Sequence, residues 1–582
     1  MNSSKPRELL RFVLGVAIAG WTVAAPHAQP VVRGVDNKAA PAASASDNDS
    51  PLTASRMFQI LAADLAIQRG EFEVGAKIYL ELANSLKDPR LARRAAQAAT
   101  LARRPALILE TAKIWATLEP ESPQARNTLA AVMVSQGSLA ESKTFLVKWI
   151  AEAADAGEVF RSINRFFGGQ KDRRAVFDVI RDVAAPYDIF DAHMAIAQAG
   201  ALADTKDAAV VQPSLAAADR ALQLMPGADP AAEIKGELLV KTEPQAAIRF
   251  LTEFGAKYPN ARDSRYMLAR LLLSENKTQT AREALIGLVT RWPEDMSMQY
   301  VLALSHYELK DYKAAEAVLK KLVDNDEADH DRVLTLLGQV YEDQKRWDEA
   351  LIQYREIGEG DLYFAAQQRI ALVLGKMGKI DEARAHLKTI SASGISGAQK
   401  IQLILTEGNV LREAQRGGEA FELLKASSET NPDSSEVLYD LAMAAEKLDR
   451  IEVAETALRK VIALKPDDAQ GYNALGYTLV DRTNRLDEGL KLIEKAHAIS
   501  PEDAFILDSM GWAHYRLGDL QKSVEYLQRA MAKRPDPEVA AHLGEVLWTM
   551  GQRDQAKKIW SEALADAPSH PLLTETMKRV AK

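Results

Sequence analysis

The chain has 582 residues, of which 47% are hydrophobic and 26% charged, and its formal net charge is -8. This composition is ordinary for a globular protein, and the small net charge without a long basic block disfavours a nucleic-acid partner. The chain contains no cysteine, which excludes disulfide bonds, thiolate metal sites and a cysteine nucleophile.

Residues 1–28 are predicted to be a signal peptide. Three basic residues precede the apolar stretch from Phe12 to Ala25, which is short for a transmembrane helix of the mature protein. Cleavage is expected near Ala28, with Ala24 as the alternative and a retained signal as a third outcome. We therefore expect an exported, periplasmic protein without a mature transmembrane span.

Two regions of weaker pattern follow. Residues 29–52 are rich in alanine, proline and serine and are predicted to be a flexible linker. Residues 53–261 are predicted to form degenerate helical repeats, because their amphipathic pattern is helical but keeps no constant period. Within them, the small and polar residues from Ala201 to Gln212 predict a loop. The first helix is expected to present an apolar side made of Met57, Ile60, Leu61, Leu65 and Ile67.

Residues 262–570 carry a regular repeat. Five prolines, Pro432, Pro466, Pro501, Pro535 and Pro568, are 34, 35, 34 and 33 residues apart. A unit of this length that holds two amphipathic helices cannot bury its apolar face alone, so successive units must stack. About nine units are predicted, and residues 571–582 are assigned to a C-terminal tail. The nine units start near Arg262, Met296, Asp331, Phe364, Ile401, Ser435, Ala469, Ala504 and Pro537.

The residues at fixed places in these units resemble those of tetratricopeptide repeats (TPRs). The unit from Asp331 carries Leu337-Gly338, Ala350 and Tyr354 at signature positions, and the last unit carries Leu543-Gly544, Ala556 and Trp560. The resemblance implies an all-α fold, a TPR superhelical solenoid of antiparallel helix pairs. The array is expected to be regular toward the C-terminus and degenerate toward the N-terminus.

In TPRs the first helix of each unit lines a concave groove, and the residues at those positions predict a protein-binding site. Tyrosine, tryptophan, methionine and arginine dominate binding energy at protein interfaces, so a protein or peptide partner is expected. The alternative for each aromatic residue is packing between neighbouring repeats. The predicted groove residues are Tyr439, Met443, Asn473, Tyr477, Asp508, Trp512, Tyr515, Arg516 and Trp548.

The sequence nominates no catalytic residue, cofactor or metal site. No two of the nine histidines are three or four residues apart, and neither a phosphate-binding loop nor a Gly-x-Ser-x-Gly elbow is found. We therefore predict a protein that is not an enzyme. An enzyme with a site hidden in the irregular region before Pro259 is the alternative.

Three segments go beyond the general repeat pattern: Asn473 to Leu479, Leu507 to Ala513 and Pro535 to Trp548. They resemble exported TPR proteins of Gram-negative bacteria, which include lipoprotein adaptors that bind a carboxyl-terminal processing protease and bring cell-wall hydrolases to it. The resemblance implies a non-catalytic scaffold of the cell envelope. This chain lacks the cysteine that carries the lipid of those adaptors. A scaffold for outer-membrane or polysaccharide assembly is the alternative, and homo-oligomerisation is left open.

Overall fold

The computed structural model describes residues 53–136, 139–325 and 329–580. The predicted signal peptide and the predicted linker lie outside these residues. Every regular element in the described ranges is an α-helix, which confirms the all-α fold class. None of these helices combines the length and the apolar character that crossing a membrane requires.

The chain divides after Val318 into two compact units. The helices of the first unit are short, and the boundary between the two units lies within its last helix, α16. They are α1 (Ala54–Gln68), α2 (Phe72–Leu86), α3 (Pro89–Ala102), α4 (Pro105–Leu118), α5 (Pro123–Gln136), α6 (Leu139–Glu152), α7 (Ala156–Phe166), α8 (Arg173–Ala184), α9 (Phe190–Leu202), α10 (Ala208–Leu224), α11 (Asp229–Thr242), α12 (Pro244–Lys257), α13 (Arg262–Ser274), α14 (Thr278–Arg291), α15 (Met296–Glu308) and α16 (Tyr312–Val323).

The second unit consists of antiparallel helix pairs and one final helix. The pairs are α17 (His330–Asp343) with α18 (Trp347–Glu356), α19 (Tyr363–Lys376) with α20 (Ile380–Ala392), α21 (Gly397–Glu413) with α22 (Gly417–Thr430), α23 (Ser435–Lys447) with α24 (Ile451–Leu464), α25 (Ala469–Arg482) with α26 (Leu486–Ile499), α27 (Ala504–Arg516) with α28 (Leu520–Lys533), and α29 (Pro537–Thr549) with α30 (Arg553–Asp566). The final helix is α31 (Pro571–Val580).

The expected apolar side of α1 is divided between core and solvent. Ile60 and Ile67 pack against the core formed with α2 and α3. Met57, Leu61 and Leu65 remain 54%, 64% and 46% exposed. The apolar period thus predicts the helix correctly but overstates the face that α2 and α3 cover.

The loop predicted from Ala201 to Gln212 is too long, because only residues 203–207 lie outside a helix. Helix α9 continues to Leu202 and α10 already starts at Ala208, with Pro213 inside it. Just outside this stretch, α9 and α10 approach each other closely, since a Cβ atom on Gly200 would lie 2.6 Å from the Cβ of Ser214.

In the second unit, the predicted repeat starts coincide with first helices or fall within four residues of them. Helices α23, α25, α27 and α29 begin at the predicted residues, and α21 begins at Gly397 instead of Ile401. An aspartate or serine caps the start of each of these four helices by accepting backbone N–H groups. The caps and the prolines before them fix where each pair begins.

The turn inside most pairs of the second unit contains one residue in the left-handed region. Glycine suits this conformation because it has no Cβ, and the turn after α27 uses Gly518 with φ of 86°. The pair α25–α26 differs, because Thr483 follows α25 in extended conformation. Its hydroxyl donates to the Leu479 carbonyl and accepts the Arg485 N–H, which replaces the usual turn.

Close crossings hold the two helices of a pair together. A Cβ atom on Gly511 of α27 would lie 2.5 Å from Leu527 Cγ of α28. A Cβ atom on Gly544 of α29 would overlap the indole of Trp560 on α30. A glycine on the first helix opposite a large apolar residue on the second is therefore the packing unit at these two crossings.

The residues assigned to a C-terminal tail contain helix α31, which packs on α29. Leu573 of α31 is fully buried. Arg579 donates from both terminal nitrogens to the Glu545 carboxylate of α29, at 2.8 and 2.6 Å. Helix α31 therefore covers one side of the last pair.

Candidate protein-binding surface

The nine predicted groove residues all lie on α23, α25, α27 and α29, the first helices of the last four pairs. We call the side chains that these four helices present away from α24, α26, α28 and α30 the first-helix surface. Neighbouring first helices pack side by side, since α25 contacts α27 and α27 contacts α29. Eight of the nine residues are half-buried, and Trp512 is only 8% exposed.

Trp512 links three first helices. Its indole stacks on the His542 ring of α29 with centroids 4.3 Å apart, and its N–H donates to the Asp481 carboxylate of α25 at 3.0 Å. The Tyr515 ring lies 5.1 Å away on its own helix. A tryptophan held in this way is part of the packing between repeats as well as of the first-helix surface.

His542 and Asp508 form the charged centre of this cluster. The Nδ1 atom of His542 lies 2.9 Å from one Asp508 carboxylate oxygen, and the histidine side chain is only 6% exposed. Burial alone would lower the pKa of His542, but the Asp508 carboxylate, with Glu538 and Glu545 nearby, raises it above its ordinary value. The protonated ring is thus stabilised by an anion on the neighbouring helix.

The raised pKa of His542 predicts a pH-dependent contribution to stability. A group with a raised folded-state pKa stabilises the fold fully below its unfolded pKa, and the contribution is lost as the pH rises through the folded-state pKa. Asp508→Asn should therefore cost more stability at about pH 6 than at about pH 9, because it leaves a buried cation unpaired only at the lower pH. Melting temperatures at both pH values measure this difference.

The control for this experiment is Asp554→Asn, an exposed aspartate on the second helix α30. It should leave the melting temperature nearly unchanged at both pH values. An Asp508→Asn cost that is the same at about pH 6 and about pH 9 would contradict the assignment of a charged pair.

A second polar group surrounds Glu545 of α29, whose side chain is 4% exposed. The Tyr515 hydroxyl donates to this carboxylate at 3.2 Å in addition to the two bonds from Arg579. Arg516 donates to the Asp481 carbonyl at 3.0 Å. These contacts hold the predicted groove residues Tyr515 and Arg516 in place between neighbouring first helices.

The remaining predicted residues lie on α23, α25 and α29, with Tyr477 and Asn473 on α25. Tyr439 and Met443 pack against the core between α23 and α25, and burial raises the pKa of Tyr439. The Asn473 side-chain oxygen is buried without a hydrogen-bond partner. Trp548 stacks on Trp560 of the second helix α30, with centroids 5.7 Å apart, so its ring faces α30 and is not part of the first-helix surface.

Three residues of the cluster were not predicted: Asp481, His542 and Glu545. Asp481 and Glu545 stand at repeat positions that face the groove, so their positions could have identified them. His542 stands beside these positions and gives no such signal. Its role depends on Asp508, which is 34 residues away in sequence and one helix pair away in space.

Three family models, each described as tetratricopeptide repeat, match residues 266–330, 411–476 and 506–541. Together they cover less than a third of the chain. A TPR repeat-containing protein of Pseudomonas aeruginosa is 42% identical over 209 residues, which are 36% of this chain and 35% of that protein. Protein FlbA of Caulobacter vibrioides is 27% identical over 111 residues, 19% of this chain and 18% of FlbA. The chain thus spans about a third of the first relative and under a fifth of the second.

Solved structures of TPR proteins also resemble parts of this chain, although their overall TM-scores are low. A thermophilic TPR protein of Thermus thermophilus is 26% identical, covers 31% of this chain and 96% of its own, and gives a TM-score of 0.29. A tetratricopeptide repeat protein of Parabacteroides merdae is 13% identical, covers 44% of this chain and 99% of its own, and gives a TM-score of 0.35.

Proposed function

We propose that this tetratricopeptide-repeat protein is a non-catalytic scaffold that binds protein partners on its first-helix surface. TPR proteins generally act as scaffolds for protein–protein interaction, and the family models identify these repeats. The observation that carries the proposal is the assembly of half-buried aromatic, methionine and arginine side chains on four successive first helices. Such side chains give large contact areas at interfaces.

The chemistry of the cluster favours binding over catalysis. Its acidic and basic groups hold one another across helices, as Asp508 holds His542 and Arg579 holds Glu545. Paired groups of this kind position a surface, whereas acid–base catalysis needs a group that can exchange a proton with a substrate. In the described part of the chain, no group of three or more His, Asp or Glu side chains is arranged to hold a metal ion.

We further propose that the scaffold works in the bacterial cell envelope as an adaptor of a carboxyl-terminal processing protease. The predicted signal peptide supports export, and the resemblance of residues 473–479, 507–513 and 535–548 to the adaptor family supports this partner. An adaptor of this kind raises the effective concentration of a substrate beside the protease without new chemistry.

Affinity capture of the exported full-length protein after crosslinking in its own cells tests the proposed partner. A carboxyl-terminal processing protease should be recovered, and the purified proteins should then form a complex. Recovery of an outer-membrane or polysaccharide assembly complex without the protease would favour that alternative. Failure to retain any envelope protein would contradict the scaffold itself.

A further inference from the structure

The first-helix surface is the acidic side of the last four pairs. Helices α23, α25, α27 and α29 together carry seven carboxylates and three lysines or arginines, a net charge of -4. The second helices α24, α26, α28 and α30 carry nine carboxylates and ten lysines or arginines, a net charge of +1. The seven carboxylates are Glu436, Asp440, Glu446, Asp481, Asp508, Glu538 and Glu545. Half of the chain's net charge of -8 therefore lies on these four first helices.

Neighbouring cations balance only some of these carboxylates. Arg412 lies 3.4 Å from Asp440, Arg579 holds Glu545, and Arg516 lies 3.8 Å from Asp481. Among the described residues, no lysine or arginine forms an ion pair with the carboxylate of Glu446 or Glu538, although Arg482 donates to the Glu446 backbone carbonyl at 3.4 Å. Asp508 is paired with His542. The surface therefore keeps carboxylates that a partner could neutralise.

Tyr477 stands among these carboxylates. Glu446, Asp481, Asp508 and Glu538 come from four successive first helices, and each of them, together with burial, raises the pKa of Tyr477 well above its ordinary value. The ring is half-buried and lies 6.4 Å from the His542 ring. An aromatic face surrounded by carboxylates attracts a cation through the ring quadrupole and through the anions.

We propose that the surface around Tyr477 binds a lysine or arginine side chain of an extended segment of the partner protein. This inference rests on the proposed function and specifies the chemistry of its partner. A metal ion fits less well, because no group of three or more His, Asp or Glu side chains in the described part of the chain is arranged to hold one. A long cationic side chain can reach separate carboxylates with its charged end while its apolar stem lies on the aromatic ring.

Binding of a labelled peptide to the purified full-length protein tests this proposal. The probe is a glycine–serine nonapeptide with arginine at alternate positions, and its matched control has citrulline, which is uncharged and nearly the same shape. Fluorescence anisotropy should show binding of the arginine peptide, at least about tenfold weaker binding of the citrulline peptide, and loss of affinity from about 50 mM to about 500 mM salt. Equal binding of both peptides, or no binding at about 1 mM, would overturn the proposal.

A matched pair of double variants locates the site. Glu446→Gln with Glu538→Gln should weaken binding of the arginine peptide by about fivefold or more, because both carboxylates contribute to the negative charge that acts on Tyr477 and neither has an ion-pair partner among the described residues. Glu452→Gln with Glu525→Gln makes the same charge change at exposed residues of second helices and should leave binding unchanged. Equal effects of the two double variants would place the peptide elsewhere and overturn the proposal.

The double variant Glu446→Gln with Glu538→Gln, compared with Tyr477→Ala, separates this proposal from the scaffold function. Suppose that Tyr477→Ala abolishes binding of a captured protein partner while Glu446→Gln with Glu538→Gln does not weaken it. The first-helix surface is then supported as the binding site, and recognition of a cationic side chain is overturned. If neither variant weakens partner binding, both proposals are overturned.

Discussion

Trp560→Ala is expected to lower the free energy of unfolding of the C-terminal pairs by about 3–5 kcal/mol, the usual cost of deleting a buried tryptophan. Trp560 is 1% exposed, lies against Gly544 of α29 and stacks on Trp548. Its loss leaves a cavity at a crossing that joins α29 and α30, close to α31. The variant should therefore melt at a lower temperature and exchange amide hydrogens faster in these three helices.

The effect should be local, because in a repeat array each pair mainly contacts its neighbours. Amide exchange in α17 to α20 should therefore change little in the Trp560→Ala variant. Lys558→Ala, an exposed position on the same helix, is the control and should change stability by no more than about 0.5 kcal/mol. A cost below about 1 kcal/mol for Trp560→Ala would contradict this packing.

Tyr477→Ala is expected to weaken binding of the captured protein partner by about 2 kcal/mol or more, roughly thirtyfold, as for interface hot spots. The reason is the position of Tyr477 on α25, one of the two inner first helices, where its half-buried ring remains partly open to a partner. Trp512→Ala is a less specific test, because Trp512 is nearly buried and joins three helices. Isothermal titration with the purified partner measures the change.

Tyr526→Ala is the matched control for Tyr477→Ala. Tyr526 is also a half-buried tyrosine, but it lies on the second helix α28 and packs against His497 and His514. The Tyr526→Ala variant should lower the melting temperature by about as much as Tyr477→Ala does and should leave partner binding unchanged. Equal losses of affinity in both variants would show that general destabilisation, and not the first-helix surface, controls binding.

Much of the regular array could be predicted from sequence because its determinants are local. Serine and aspartate caps, prolines between pairs and glycines at crossings recur at fixed spacing, so helices such as α25 and α27 begin where predicted. The stretch from Ala201 to Gln212 could be predicted only in part. Its alanines suggest a loop in this context but also favour helix, and the packing of α9 against α10 leaves only residues 203–207 outside a helix.

The candidate surface was predictable in position but not in contacts. Repeat register places Tyr477, Asp508 and Trp512 on first helices, and the structure has them there. Register does not show that the Trp512 indole stacks on His542, because that contact joins helices of different repeats. The acidic character around Tyr477 also depends on residues from four repeats, so it emerges only when the helices are packed together.

Photocrosslinking from chosen positions tests the central claim most directly. A photoreactive amino acid replaces Met443 or Tyr477 on the first-helix surface, or the exposed Lys558 on α30, in the exported full-length protein. The account predicts crosslinks to one protein partner from the first two positions and none to that partner from the third. Crosslinks to the partner from position 558 alone would contradict it.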